Sequence, residues 1–311
     1  GLEIPLDPYY LKFHVGVFGA TGMGKSRLIK ALVDEIVYKT KYAVIIFDHT
    51  GMDYSYYYRE STIFSTKIIL DPIVAAEWLA TKIRVSDQIK QYLEGTILKI
   101  YKDVLMDLEH PKEDFNLDKL RQIIISILKS QTTKELYDEF YDTFVELIKT
   151  IARQMGARYA PEQIQARMDL LITPEELVET LFRELKPSNI IELAHDMKKV
   201  GKPLVIDLSY EETIEAKRSV VSSVIDMAWE RVMRERTPQN LIFVVDEAQN
   251  YAYGATMSRR SIETIAREGR KWSIGLIIAS QRLARSVDPD IRANINSIFL
   301  FNNKNSIHQE V

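Results

Sequence analysis

The eight residues Gly19-Ala20-Thr21-Gly22-Met23-Gly24-Lys25-Ser26 constrain this chain more than any other stretch, because they match G-x-x-x-x-G-K-[ST] in the setting that pattern requires. Before them runs the apolar Phe13-His14-Val15-Gly16-Val17-Phe18. After them, Leu28, Ile29, Leu32, Val33, Ile36 and Val37 recur at three-and-four spacing from Ser26 to Val37. A buried strand that turns through glycines into a helix presents consecutive N–H groups at a helix N-terminus, where the dipole favours negative charge. The expected ligand is therefore the phosphate chain of ATP, held by Gly19, Thr21, Gly22, Met23, Gly24, Lys25, Ser26 and Arg27. Lys25 is expected on the β and γ phosphates, and the Ser26 hydroxyl in the shell of a Mg²⁺ ion. A glycine turn that merely links strand to helix is the competing reading, and its context argues against it.

Such a loop needs a second, acidic element. Leu241-Ile242-Phe243-Val244-Val245 reads as a buried strand whose end delivers Asp246 and Glu247 to the same edge as the loop. Asp246 is expected to hold Mg²⁺, and Glu247 to act as general base on the attacking water; the alternative is that Asp246 only caps the next helix. A third apolar run, Gly275 to Ala279, ends in Ser280-Gln281, which places Gln281 as a sensor of the γ-phosphate. Ala43–Phe47, Lys67–Leu70, Pro203–Leu208 and Ser297–Phe301 complete the expected strands. The fold class that follows is α/β, a mainly parallel sheet flanked by helices.

Between Asp87 and Asn189 the pattern changes to charged and apolar alternation at helical period with few glycines, which predicts a helical insertion over 87–189 and a core of 1–86 with 190–311. Thr173-Pro174-Glu175-Glu176 reads as a capped helix start and Phe115-Asn116-Leu117-Asp118 as another. A helix is expected over about Glu211 to Arg234, leading to Leu241.

Composition limits the partners. With 41 basic and 44 acidic side chains the net charge is −3, so any polyanion site must be local. From Met257 to Arg285, seven basic residues (Arg259, Arg260, Arg267, Arg270, Lys271, Arg282, Arg285) face two acidic ones (Glu263, Glu268), a net of +5. That excess suits a solvated helix face, a nucleic-acid track, or arginines that reach across a subunit boundary; Arg270 is the leading candidate for such a finger, then Arg267. The absence of cysteine excludes disulfides and thiolate metal sites and fits a reducing cytoplasm. No apolar run is long enough to span a membrane. The chain starts at Gly1 rather than methionine, as expected of a piece of a longer protein.

The chain resembles the HerA/FtsK superfamily of RecA-like motor ATPases, in particular its HerA-like branch. The likeness lies in Leu6-Asp7-Pro8 with Leu11 and His14, in Gly19–Ser26, and in Asp48-His49-Thr50-Gly51-Met52-Asp53-Tyr54, similar to the family's D-x-x-G-[ED]-Y. It continues in Gly201–Ser209, Asp246-Glu247-Ala248-Gln249-Asn250, Glu268–Lys271 and Ser280-Gln281-Arg282. The resemblance implies a RecA-like P-loop core in a homohexameric ring, with ATP sites between subunits and double-stranded DNA in the central channel. It carries Lys25, Ser26, Asp246, Glu247 and Gln281 over as nucleotide and catalytic residues, with Arg270 as the finger supplied in trans. It also implies a small barrel ahead of the core, through which a NurA-type nuclease would bind, and C-terminal strands with a bridging tail, neither of which is matched within this sequence.

Two other functions fit the same residues. One is the ATPase of a conjugative or DNA-import type IV secretion-like system docked on a membrane complex, membrane-associated through parts outside this chain. The other is a nucleotide-gated scaffold or defence-complex subunit. The run Tyr54-Ser55-Tyr56-Tyr57-Tyr58-Arg59 could stack on exposed bases, but packing is the better reading. His14, His49, His110, His195 and His308 show no zinc-site spacing, so no metal beyond Mg²⁺ is expected. The charge run Lys112-Glu113-Asp114 reads as a solvated face. Isoleucine, lysine and tyrosine content without cysteine fits a hot-environment archaeon.

Overall fold

A computed structural model describes residues 7–100, 115–128, 133–157, 160–183, 187–282 and 286–301. Leu6, His110, Lys112-Glu113-Asp114, Arg285 and His308 lie outside the described residues. The chain divides into two compact units, one of Gly1–Ile68 with Leu185–Val311 and one of Ile69–Glu184.

The first unit is built on an all-parallel seven-stranded sheet. In chain order its strands are β1 (Val15–Phe18), β2 (Ala43–Asp48), β3 (Thr62–Phe64), β4 (Leu204–Asp207), β5 (Leu241–Val245), β6 (Ile274–Ser280) and β7 (Ser297–Leu300), and their spatial order is β3-β4-β2-β5-β6-β1-β7. The five inner strands are buried at every residue, which is why they read as unbroken apolar runs. The edge strands β3 and β7 are only partly covered.

The edge explains one correction. The strand expected at Lys67–Leu70 lies instead at Thr62–Phe64, paired Thr62 to Val205 and Phe64 to Asp207. Ile68 and Leu70 are buried and so imitate a strand, but Ser65–Lys67 winds a 3₁₀ turn, and the true edge strand lacks an apolar signature because one face meets solvent.

Alternation along the strands splits the core. Val15, Val17, Val44, Ile46, Ile242, Val244, Ile277 and Ala279 share a cluster with Ile29, Val33, Ile36 and Val37 of α1 (Lys25–Lys39). Residues of the opposite parity lie on the other face, where Phe47 and Phe243 stack. The helix α8 (Pro187–Lys199) packs on β2, on β4 and on α9 (Ile214–Glu235), and α9 packs on α10 (Met257–Glu268). Thr213 starts α9 by accepting from the Ala216 amide.

The second unit is helical, comprising α2 (Pro72–Lys82), α3 (Asp87–Ile100), α4 (Phe115–Leu128), α5 (Lys134–Gln154), α6 (Ala160–Leu171) and α7 (Pro174–Leu181). Thr173 caps α7 through the Glu176 amide, with Pro174 in its first turn. Phe140 stacks on Phe144 and meets Phe182 edge-on within this unit. The unit takes in α2, which starts well before Asp87, while α8 clusters with the sheet. A short α11 (Pro289–Arg292) precedes β7. Among the described residues no helix is long and apolar enough to cross a membrane.

Candidate nucleotide-binding site

Register decides what meets at the sheet's C-terminal edge. Phe18 pairs with Ser280, Val245 with Ile278 and Phe47 with Val245, so the residues that follow these strands line one edge together. They are the Gly19 loop, the Asp48 loop, Asp246-Glu247 and Ser280-Gln281, with β6 lying between β1 and β5.

The β1–α1 loop ends on Gly24, which starts α1 in the left-handed region at φ 100° with no side-chain cap. By contrast Asp71, Thr133, Thr173, Thr213, Thr256 and Asp288 each accept a first-turn amide of their helices. An uncapped first turn leaves N–H groups for an anion. Lys25 is buried, and its Nζ donates to the Gly19 carbonyl at 2.8 Å and the Ala20 carbonyl at 3.3 Å. Of its three protons one remains for a phosphate oxygen. Thr21, Gly22, Met23 and Arg27 are exposed around the loop, and Ser26 is half-buried.

Asp246 is buried at the end of β5 and accepts the Glu247 amide at 2.8 Å. Burial, more than any neighbour, pushes its carboxyl up to about 6, with the Glu247 and Asp53 charges adding to the rise. The Tyr54 hydroxyl faces both the Asp246 carboxylate and the Ser26 hydroxyl, but makes a hydrogen bond of full geometry with neither. A buried carboxyl held far above its usual range and an orphaned buried hydroxyl, both beside a P-loop serine, are the donor set that a hydrated Mg²⁺ fits. Among the described residues no group of three or more His, Asp or Glu side chains is arranged to hold a metal alone, so a Mg²⁺ held by Ser26 and Asp246 would need phosphate and water ligands as well.

Glu247 adopts a left-handed conformation, φ 48° and ψ 47°. The Gln249 amide donates to its carboxylate, and Ser280 donates to the Gln249 side-chain carbonyl at 2.8 Å. Gln249 thus ties the end of β5 to the end of β6, a link hidden in sequence because it depends on the Glu247 backbone. His49 Nδ1 shares a 2.7 Å hydrogen bond with the buried Tyr251 hydroxyl, and burial lowers the His49 pKa, with the Lys217 charge adding to the fall. Gln281 stands exposed at the same edge.

The Asp48 carboxylate organises its loop. It accepts the Tyr54 and Ser55 amides and the Ser55 hydroxyl, all at 2.9 Å, and the Gly51 amide at 3.1 Å. Gly51 sits at φ 71°, and a Cβ there would stand 2.6 Å from an Asp207 oxygen. The tyrosine run divides: Tyr54 is fully buried, whereas Tyr56 and Tyr57 are 65% and 57% exposed.

Arg270 is not brought to this edge. It lies in the 3₁₀ turn Gly269–Trp272 before β6, at the opposite edge of the sheet, with its guanidinium 4.9 Å from the Phe13 ring centre. Seven residues of β6 separate the edges, about 20 Å at roughly 3.3 Å per residue. The basic segment is likewise divided between the two edges. Arg259 is bound to Glu263 and Asp288, Arg267 pairs with Glu263, Lys271 pairs with Glu268, and only Arg282 of its described basic residues follows the end of β6.

The family model described as "Helicase HerA, central domain" matches residues 1–228. Two curated relatives, both "DNA double-strand break repair helicase HerA", come from Sulfolobus acidocaldarius and Sulfurisphaera tokodaii. They are 24% and 22% identical over 96% of this chain, which spans 56% and 57% of their own lengths. Among solved structures, VirB4 of Thermoanaerobacter pseudethanolicus shares the fold at TM-score 0.52 and 15% identity, covering 93% of this chain and 77% of that one. Because that family model spans residues 1–228, most of the sequence, the chain belongs to the HerA helicase central-domain family.

Proposed function

We propose that this chain is the motor core of an ATP-hydrolysing DNA translocase that works as a homohexameric ring on double-stranded DNA. What carries the reading is the split between the sheet edges: phosphate loop, paired carboxylates and Gln281 share one edge, while Arg270 stands at the other and cannot reach the phosphate loop of its own chain.

The α1 amides and the remaining Lys25 proton hold the β and γ phosphates. Ser26 and Asp246 hold Mg²⁺, which when bound neutralises charge on the phosphates. Glu247, steadied by Gln249, takes the proton of the attacking water, and Gln281 registers the γ-phosphate. Arg270 of a neighbouring subunit completes the site, since an arginine finger contributes about 10³-fold or more to rate. DNA as the substrate is supported by the HerA relatives, which are named as DNA repair helicases.

The test is the ATPase rate with and without double-stranded DNA, measured alongside oligomer mass on the full-length protein. A hexamer whose turnover rises with DNA is expected. A slow rate that DNA leaves unchanged would favour the nucleotide-gated scaffold instead.

A further inference from the structure

Tyr54 brings to this site a group that the reading above leaves unused. Its side chain has no exposed surface, and its hydroxyl stands against Ser26 and Asp246 without a fully formed hydrogen bond to either. An unpaired buried hydroxyl is a cost that phenylalanine at the same place avoids. The surrounding loop nevertheless fixes the ring firmly. The Tyr54 amide is bound to Asp48, its carbonyl accepts the Tyr57 and Tyr58 amides at 3.0 and 2.8 Å, and the residue belongs to the same core cluster as Val17, Ile46 and Val244. So fixed, the hydroxyl faces Ser26 and Asp246.

We propose that Tyr54 is a positioning residue for hydrated Mg²⁺, donating its proton to the Asp246 carboxylate while its oxygen accepts a hydrogen bond from a metal-bound water. The proposal rests on the assignment of Ser26 and Asp246 above. Groups one shell out from a metal typically change its affinity by 10- to 100-fold.

Tyr54→Phe removes the hydroxyl and keeps the ring. ADP binding is measured by calorimetry in EDTA and across a MgCl₂ titration, for wild type, Tyr54→Phe and Ser55→Ala. Ser55→Ala loosens the loop at its Asp48 bond without touching the Tyr54 hydroxyl. In Tyr54→Phe, metal-free ADP affinity should stay within about twofold, while the Mg²⁺ concentration for half the metal-linked gain rises about tenfold. Ser55→Ala should leave that midpoint near wild type, and the nucleotide-free Tyr54→Phe protein should melt no lower than wild type. An unchanged midpoint overturns the proposal, as does an equal rise in Ser55→Ala or a clear fall in the melting temperature of Tyr54→Phe. A wild-type protein whose ADP affinity ignores Mg²⁺ overturns the Ser26–Asp246 assignment and this proposal with it.

Discussion

Two buried polar side chains at opposite edges of one sheet, His14 and Tyr54, are treated in opposite ways. At the N-terminal edge His14 is buried, yet both ring nitrogens are satisfied: the Leu276 amide donates to Nδ1 at 3.1 Å, and Nε2 donates to the Ala266 carbonyl at 3.0 Å. Burial holds its pKa down at about 4, so it stays neutral. At the C-terminal edge the Tyr54 hydroxyl faces Ser26 and Asp246 without a fully formed hydrogen bond, and burial pushes the Asp246 carboxyl up to about 6. His14, with both bonds made, serves the fold, whereas the Tyr54 hydroxyl is held short of its bonds beside the phosphate loop.

Substitutions should separate along that line, beginning with the largest effect. Lys25→Ala should nearly abolish ATP binding, and Glu247→Gln should preserve it while cutting hydrolysis by about 10²- to 10⁴-fold. Nucleotide titration and phosphate release check both, and wild-type turnover in the Glu247 variant would sink its role as base. Neither change should greatly alter the unfolding midpoint.

Stability responds in the reverse sense. His14→Leu strands the Leu276 amide and the Ala266 carbonyl and should cost about 2–4 kcal/mol in denaturant unfolding. Asp246→Asn removes a carboxylate that is unfavourably ionised at neutral pH and should stabilise the nucleotide-free protein by about 1–3 kcal/mol. The pH dependence follows the same division. The folded-state pKa of His14 lies below its ordinary 6.5, so its contribution is complete above that value and lost as the pH falls through about 4. The folded-state pKa of Asp246 lies above its ordinary 3.8, so its contribution is complete below that value and lost as the pH rises through about 6. Between these limits the two slopes oppose each other. Relative to wild type, Asp246→Asn should therefore lose stability more steeply with falling pH, by up to about 1.4 kcal/mol per unit, and His14→Leu less steeply. Parallel curves for all three proteins would erase the contrast between the edges.

Legibility in sequence follows burial. The Gly19–Ser26 loop and the Asp246-Glu247 pair stand out because they interrupt strands that are apolar at every residue. The half-exposed β3 has no such signature. His14 and Gln249 were visible as motif members, but their roles were not. The partners of His14 lie 252 and 262 residues away in the chain, and the path of Gln249 depends on a backbone turn. Tyr54 was hidden within a run of tyrosines whose members share spacing but not environment.

In the proposed ring, one nucleotide site needs both edges, and so two subunits. Rings mixed from Arg270→Ala and Lys25→Ala protomers test it most directly, since each homomeric ring should be inactive and some mixed interfaces pair an intact phosphate loop with an intact arginine. Recovery of ATP hydrolysis on mixing is the predicted result. Mixed rings as inactive as their parents, with subunit exchange confirmed by mass, would contradict it.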